Sequence, residues 1–305
     1  MSKIAFCFAG QGSQYSGMGK DLYQNLTSAK EVFDMAEKIR KGTINQCFEA
    51  PLEEISITKN TQACLFCVDL ACAKALEENG VKADFVAGFS LGEIPALAYT
   101  GILSDEDAFR LVTQRGNLMQ VASEENPGGM AAVLKLTDEQ VENICNNYDL
   151  VYPVNYNCDG QVVVAGEHTN LDKVIADVSE IKGRAKKLNV SGAFHSPFMV
   201  KASVGVREML GTMQMSEPNV PLYSNYTAQP YEGDKIDLVA NQLMNSVRWK
   251  ESVLNMAKAG ADVFIEVGAG KTLSGLIKKI VPDAKVCNVQ DMDSLNKTLE
   301  ELKNV

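Results

Sequence analysis

Apolar positions along this chain fall into two rhythms: short unbroken runs, and longer stretches with a period near that of a helix. Ile4 to Ala9 is an unbroken apolar run, and it ends in the polar, glycine-containing Gly10-Gln11-Gly12-Ser13-Gln14. Such a run bounded by turn residues predicts a buried strand. Helical spacing fills roughly residues 17–40 and 61–79, and a second apolar run, Phe85 to Phe89, predicts the next strand. Strands that are apolar on both faces, alternating with helices, predict an α/β fold with a mostly parallel sheet covered on both sides.

The rhythm changes at Ser123-Glu124-Glu125-Asn126-Pro127-Gly128-Gly129, a turn-rich break. Beyond it, Met130–Leu136 predicts a strand and Thr137–Asn147 a helix, with Thr137 as cap and Gln140 three residues on. Val151–Asn157 and Gln161–Gly166 predict strands, Leu171–Ile181 a helix and Ala185–Val190 a last strand. The order β-α-β-β-α-β is that of a ferredoxin-like unit. It predicts a small inserted α+β subdomain over 126–192, between the two parts, 1–125 and 193–305, of a large α/β subdomain. The larger layer resumes with Ser196-Pro197 opening a helix, Leu222–Asn225 and Val263–Val267 as strands, a helix over Thr272–Ile280 and a final strand over Ala284–Val289.

The strand at Phe85 runs into Gly88-Phe89-Ser90-Leu91-Gly92 and then into Glu93-Ile94-Pro95-Ala96-Leu97-Ala98. The spacing G-x-S-x-G between a strand and a helix is that of a nucleophile elbow, which exposes a serine hydroxyl on a sharp turn. The same residues, Ser90-Leu91-Gly92-Glu93, also spell a capping box, in which Ser90 merely begins a helix. The pentapeptide alone does not separate the two.

A serine nucleophile needs a base. The chain has two histidines. His168 lies in the polar Glu167-His168-Thr169-Asn170, the pattern of a solvated turn, whereas His195 lies where the insert returns to the main body, a place where clefts form. Arg115 follows the apolar stripe Ala108, Leu111, Val112, Leu118, Met119 of a helix capped at Ser104. A buried guanidinium demands an anionic partner, either a structural carboxylate elsewhere in the fold or the carboxylate of a substrate. Gly268-Ala269-Gly270-Lys271-Thr272 approaches a phosphate loop, but the glycine required five residues before Gly270 is Ile265; Gly10-Gln11-Gly12 lacks the third glycine of a dinucleotide fingerprint, that place being Tyr15.

Composition narrows the classes further. The 305 residues are 46% hydrophobic, with no apolar stretch long enough to span a bilayer and no signal-peptide pattern, so a cytoplasmic protein is expected. A net charge of −10 argues against nucleic-acid binding. Lys182, Arg184, Lys186 and Lys187 form a local basic cluster, either a docking patch for an acidic partner or a solvated strand end. The eight cysteines are expected to be reduced thiols; Cys64-Leu65-Phe66-Cys67 has no second pair, and with two histidines a metal site is not expected.

Taken in order, Phe8-Ala9-Gly10-Gln11-Gly12-Ser13-Gln14, Gly88-Phe89-Ser90-Leu91-Gly92-Glu93, Gln114-Arg115-Gly116, Asn155-Tyr156-Asn157 with Gly160-Gln161-Val162, Gly192-Ala193-Phe194-His195-Ser196 and Val267-Gly268-Ala269-Gly270-Lys271 make the chain resemble the malonyl-CoA:acyl carrier protein transacylases and the acyltransferase domains of fatty acid and polyketide synthases. The resemblance runs nearly the whole chain. It implies a hydrolase-like core with a ferredoxin-like insert, malonyl-CoA and acyl carrier protein as partners, a monomer, and coenzyme A only as part of a substrate, with no separate cofactor. It also implies roles: Ser90 as acyl acceptor, His195 as base, the side chain or backbone of Gln11 with the Leu91 N–H as oxyanion hole, and Arg115 as holder of the malonyl carboxylate. By the same resemblance the Gln242 main-chain carbonyl orients the histidine, and Phe194 crowds out branched acyl groups. Two positions depart from the pattern: Phe89 stands where histidine is common, beside the nucleophile and facing the acyl group, and Pro95 lies in the first turn of the elbow helix. Two other readings are an acyl hydrolase acting on carrier proteins and an inert scaffold that binds them.

Overall fold

Among the described residues, nine strands in two sheets organise the chain. The computed structural model describes residues 2–303, with strands β1 (Lys3–Phe8), β2 (Phe85–Gly88), β3 (Gly129–Leu134), β4 (Val151–Cys158), β5 (Gln161–Gly166), β6 (Arg184–Lys187), β7 (Leu222–Tyr223), β8 (Ala261–Val267) and β9 (Lys285–Val289).

The first sheet has the order β7-β2-β1-β8-β9, and each neighbouring pair is parallel. Successive residues of a strand point to opposite faces. Phe6 and Phe8 of β1 therefore join Val86 and Ile265 in the core on one side, while Ala5 and Cys7 join Phe85, Ala87, Phe264 and Trp249 on the other. The helix Thr58–Glu78 on the first side is buried on nearly every face, and most of its residues are apolar or small, with Gln62 and Asp69 buried among them. Phe8 is in register with both Gly88 and Val267, and the carboxyl ends of β1, β2 and β8 finish level with one another. Ligands of open parallel sheets bind beyond such ends.

The second sheet has the order β4-β5-β3-β6 with every pair antiparallel, and together with the helices Asp138–Cys145 and His168–Glu180 it forms the β-α-β-β-α-β unit. Ala131, Val133, Val162 and Val164 pack against Val141, Ile144, Leu171 and Val174 of those helices. Met130, Ala132 and Val163, pointing the other way, face a cavity above the first sheet. The unit is stitched to the main body at β4, where the Tyr156 N–H donates to the Val247 carbonyl (3.0 Å) and the Val247 N–H to the Val154 carbonyl (2.8 Å).

The helical stretch expected over 17–40 is two helices, Lys20–Asn25 and Thr27–Ile39, parted by Leu26 in an extended conformation. Leu222–Tyr223 stops short of the expected Asn225, because that residue turns away to the elbow. Thr137 and Gln140 form the expected capping box, and Ser104 caps its helix through the Asp107 N–H (3.1 Å). His168 is not in a turn: it is the exposed first residue of a helix whose N-cap is Glu167. The basic cluster lies on and beside β6, an edge strand, where exposed charge also discourages sheet-to-sheet pairing; Lys187 is ion-paired with Asp172 at 2.5 Å. All eight cysteines are buried, unpaired thiols.

Candidate active site

Ser90 sits at the turn between β2 and the helix Glu93–Tyr99, with φ of +53°, in the left-handed region. That conformation costs a non-glycine residue about 1–2 kcal/mol. The flanking glycines serve closeness, not dihedral freedom. A Cβ on Gly88 would lie 2.0 Å from the Gly92 carbonyl carbon, and one on Gly92 would lie 2.3 Å from the Phe8 oxygen. Asn225 holds the turn from outside: its Nδ2 donates to the Gly88 oxygen (2.5 Å) and its Oδ1 accepts the Ser90 N–H (2.7 Å). The capping-box alternative is not what the chain adopts. The helix starts at Glu93 with no side-chain cap, and the Ser90 hydroxyl is engaged elsewhere. Pro95 is the third residue of that helix, where an N–H would have no intrahelical acceptor, so the ring removes no bond.

Ser90 Oγ lies 2.7 Å from His195 Nε2. His195, also left-handed with φ of +59°, is buried, and its Nδ1 lies 2.8 Å from the Gln242 main-chain oxygen. A carbonyl only accepts, so Nδ1 carries the proton and Nε2 presents its lone pair to the serine. Burial, and then the nearby Arg115 charge, push the histidine down to about 4, so the ring is neutral at pH 7. A neutral imidazole bonded to a hydroxyl is able to take its proton.

Arg115 is fully buried on the apolar face of the helix Asp105–Glu125. Its Nη1 donates to Gln62 Oε1 (2.5 Å), and its Nη2 to Gln242 Oε1 (2.9 Å) and to Ser90 Oγ (3.3 Å). Burial lowers it to about 10, still cationic at neutrality, and Glu93 works in the opposite direction. Among the described residues no carboxylate lies within ion-pair distance of this guanidinium; it is held by neutral amides, with its charge directed at the serine. A buried cation without a close counterion is a receptor for an anion.

Glu93, Gln62, Asn225 and Tyr231 were not singled out by the sequence. Glu93 is buried and accepts from Tyr231 Oη, from the Asn225 N–H (3.0 Å) and from Gln242 Nε2 (3.1 Å). Burial pushes it up to about 7 against those donors. Its signal was present in the capping-box pattern, where a glutamate three residues after the cap reads as part of a solvated first turn. Gln62 was hidden in a helix with no polar face, and Asn225 acts across 135 residues of sequence.

The cavity beside the serine has a volume of about 240 Å³ and is lined by Gln11, Phe89, Ser90, Met130, Phe194 and His195 among others. Gln11 follows β1, and its amide is occupied: Oε1 accepts from Gln62 Nε2 (3.3 Å) and Nε2 reaches Thr58 Oγ1 (3.5 Å). Leu91 is fully buried in the turn that opens the elbow helix. Phe89 packs edge-on against Trp249 with ring centroids 5.5 Å apart. His168 does not line this cavity. The glycine-rich turn after β8 is not a phosphate loop for a physical reason: the N-terminus of its helix, Thr272–Ile280, is already met by Glu266, which accepts the N–H groups of Leu273 (2.9 Å) and Ser274 (2.6 Å).

The family model described as acyl transferase domain matches residues 5–297. The chain is 36% identical over 312 residues to the malonyl CoA-acyl carrier protein transacylase of Bacillus subtilis, covering 99% of this chain and 98% of that one. It superposes on the crystal structure of the malonyl CoA-acyl carrier protein transacylase from Clostridium perfringens with a TM-score of 0.96 at 38% identity, covering 99% of this chain and 98% of that one. It superposes with a TM-score of 0.94 at 31% identity on a malonyl-transacylase solved in complex with a type II PKS acyl-carrier protein, covering 98% of this chain and all of that one.

Proposed function

The chain belongs to the acyl transferase family, and we propose that it moves a malonyl group from coenzyme A to the phosphopantetheine thiol of acyl carrier protein through an ester on Ser90. The observation that carries this reading is a buried Arg115, with no close counterion among the described residues, donating to the hydroxyl that a neutral histidine also holds. A general hydrolase of acyl chains has no use for a fixed cation there.

In the first step the malonyl carboxylate takes over the Arg115 bond given to Ser90 Oγ as a charge-assisted hydrogen bond. Ser90 Oγ attacks the thioester carbonyl as His195 Nε2 takes its proton. The oxyanion is held by the main-chain N–H groups of Gln11 and Leu91, the Gln11 amide being engaged by Gln62 and Thr58; each such donor contributes about 3–4 kcal/mol. The C–S bond breaks, and the imidazolium returns the proton to the departing coenzyme A thiolate. In the second step the carrier thiol gives its proton to His195 and attacks the ester, and Ser90 leaves with that proton. Side chains and substrates carry every proton and charge, so the chemistry calls for no metal and no separate cofactor. The Phe89 and Phe194 walls keep the ester dry and limit the size of the acyl group. Every group named comes from one chain, which supports action as a monomer. The reading places the protein in the cytoplasm, with its cysteines reduced and no nucleic-acid or membrane partner; no helix among the described residues is long and apolar enough to cross a membrane.

Intact mass measurement after mixing with malonyl-CoA tests the reading. A single malonyl adduct is expected on the wild-type protein and none on Ser90→Ala; an adduct that survives the substitution overturns it.

A further inference from the structure

Gln242 addresses three parts of the site at once. Its main-chain oxygen holds His195 Nδ1 (2.8 Å), its Oε1 accepts from Arg115 Nη2 (2.9 Å), and its Nε2 donates to the Ser90 carbonyl (2.7 Å) and to Glu93 Oε2 (3.1 Å). The two ends of a carboxamide are alike in shape and opposite in polarity, so its orientation is set by its neighbours. Reversed, the Gln242 amide would set N–H against guanidinium N–H, and Arg115 would lose one of its two amide anchors. Two acceptors favour the observed orientation, the Ser90 carbonyl and Glu93, and Glu93 is the one whose acceptor belongs to a side chain. At each of its contacts Glu93 meets a donor and accepts. Glu93 Oε2 takes Gln242 Nε2 and the Asn225 N–H, while Oε1 takes the Tyr231 hydroxyl. With donors on both oxygens, the carboxylate is itself fixed in place.

We propose that Glu93 is a positioning residue that acts through Gln242, locking the amide so that its oxygen faces Arg115 and the guanidinium stays aimed at the nucleophile. The proposal rests on the malonyl-transfer reading. Glu93 touches neither Ser90 Oγ nor His195, and the carbonyl that holds His195 belongs to the Gln242 backbone. Through Gln242 its influence falls on recognition of the substrate carboxylate; it meets the turn that carries Ser90 only through the Asn225 main-chain N–H, and the Asn225 side chain that braces that turn is untouched.

The full-length protein is tested with Glu93→Met, close in volume but with no oxygen acceptor, and Glu93→Gln. The glutamine's carbonyl keeps the bonds from Gln242 and Asn225 while its amide faces the Tyr231 oxygen. Two readouts are needed: rapid-mix acylation by malonyl-CoA, giving rate and half-saturation separately, and labelling of Ser90 by a fluorophosphonate, which needs the serine and histidine but no carboxylate clamp. For Glu93→Met, half-saturation by malonyl-CoA is expected to rise about tenfold or more while fluorophosphonate labelling stays within about threefold of wild type. For Glu93→Gln both readouts are expected to stay within about threefold of wild type. The proposal is overturned if Glu93→Met matches wild type, if it slows both readouts in the same proportion, or if Glu93→Gln is as impaired as Glu93→Met. Should Glu93→Met fail to fold, Glu93→Met combined with Tyr231→Phe, which leaves one fewer donor stranded, is judged by the same criteria. A wild-type protein that takes the fluorophosphonate but no malonyl group overturns the malonyl reading, and this inference with it.

Discussion

Two turns, on the strands that flank β1 in the parallel sheet, have nearly the same ingredients. The turn after β2 and the turn after β8 both leave a buried strand, pass through glycines and enter a helix. In the second, the left-handed conformations fall on Gly268 (φ +121°) and Gly270 (φ +83°), and the carboxylate of Glu266 closes the helix N-terminus. In the first, the left-handed conformation falls on Ser90, and its hydroxyl meets an imidazole and a guanidinium. One turn meets its buried carboxylate with its own N–H groups; the other carries strain and faces a buried cation with no close counterion among the described residues. Local strain of this kind persists where the surroundings over-determine it, and the Asn225 brace is that surrounding here.

The comparison is broken most severely at the base. His195→Ala is expected to slow malonyl transfer to Ser90 by about 10³-fold, measured in single turnover. Next comes the cation: Arg115→Ala is expected to lower kcat/KM for malonyl-CoA by about 10²-fold while leaving transfer from acetyl-CoA nearly unchanged. Equal losses for both thioesters would show that Arg115 serves the fold and not the carboxylate. The pH profile sharpens the same contrast. With His195 lowered to about 4, fluorophosphonate labelling is expected to stay level from neutrality downward and to fall only as pH approaches about 4, since the base must be unprotonated. The sign for stability agrees: an unfolded histidine binds a proton below its ordinary 6.5 while the native one does not, so this group's contribution is complete above 6.5 and is lost as pH falls toward about 4. The smallest effect belongs to the self-satisfied turn: Glu266→Gln is expected to cost about 1 kcal/mol, read as a lower melting temperature with Ser90 labelling retained.

The strand-and-helix alternation, the shift to an antiparallel unit and the serine elbow were legible because each is a local pattern: runs, periods and turn residues within a few positions. Arg115 was legible through a conflict, a charge on an apolar stripe. The reason for the elbow glycines was not, since G-x-S-x-G suggests freedom of dihedral and the structure requires freedom from a Cβ. The brace and the amides were not legible either. Asn225 reaches Ser90 across 135 residues, and Gln242 reaches it across 152, and no periodicity encodes such pairings. The helices Lys235–Gln242 and Trp249–Lys258 lie in segments for which the apolar pattern raised no expectation, although the first delivers the carbonyl that holds His195.

The left-handed backbone at Ser90 also restricts which alcohol this scaffold can accept as its nucleophile. Threonine offers the same functional group, but its β-branch is unsuited to a positive φ. Evolution of this turn toward a secondary alcohol would first have to rebuild the bend that presents it.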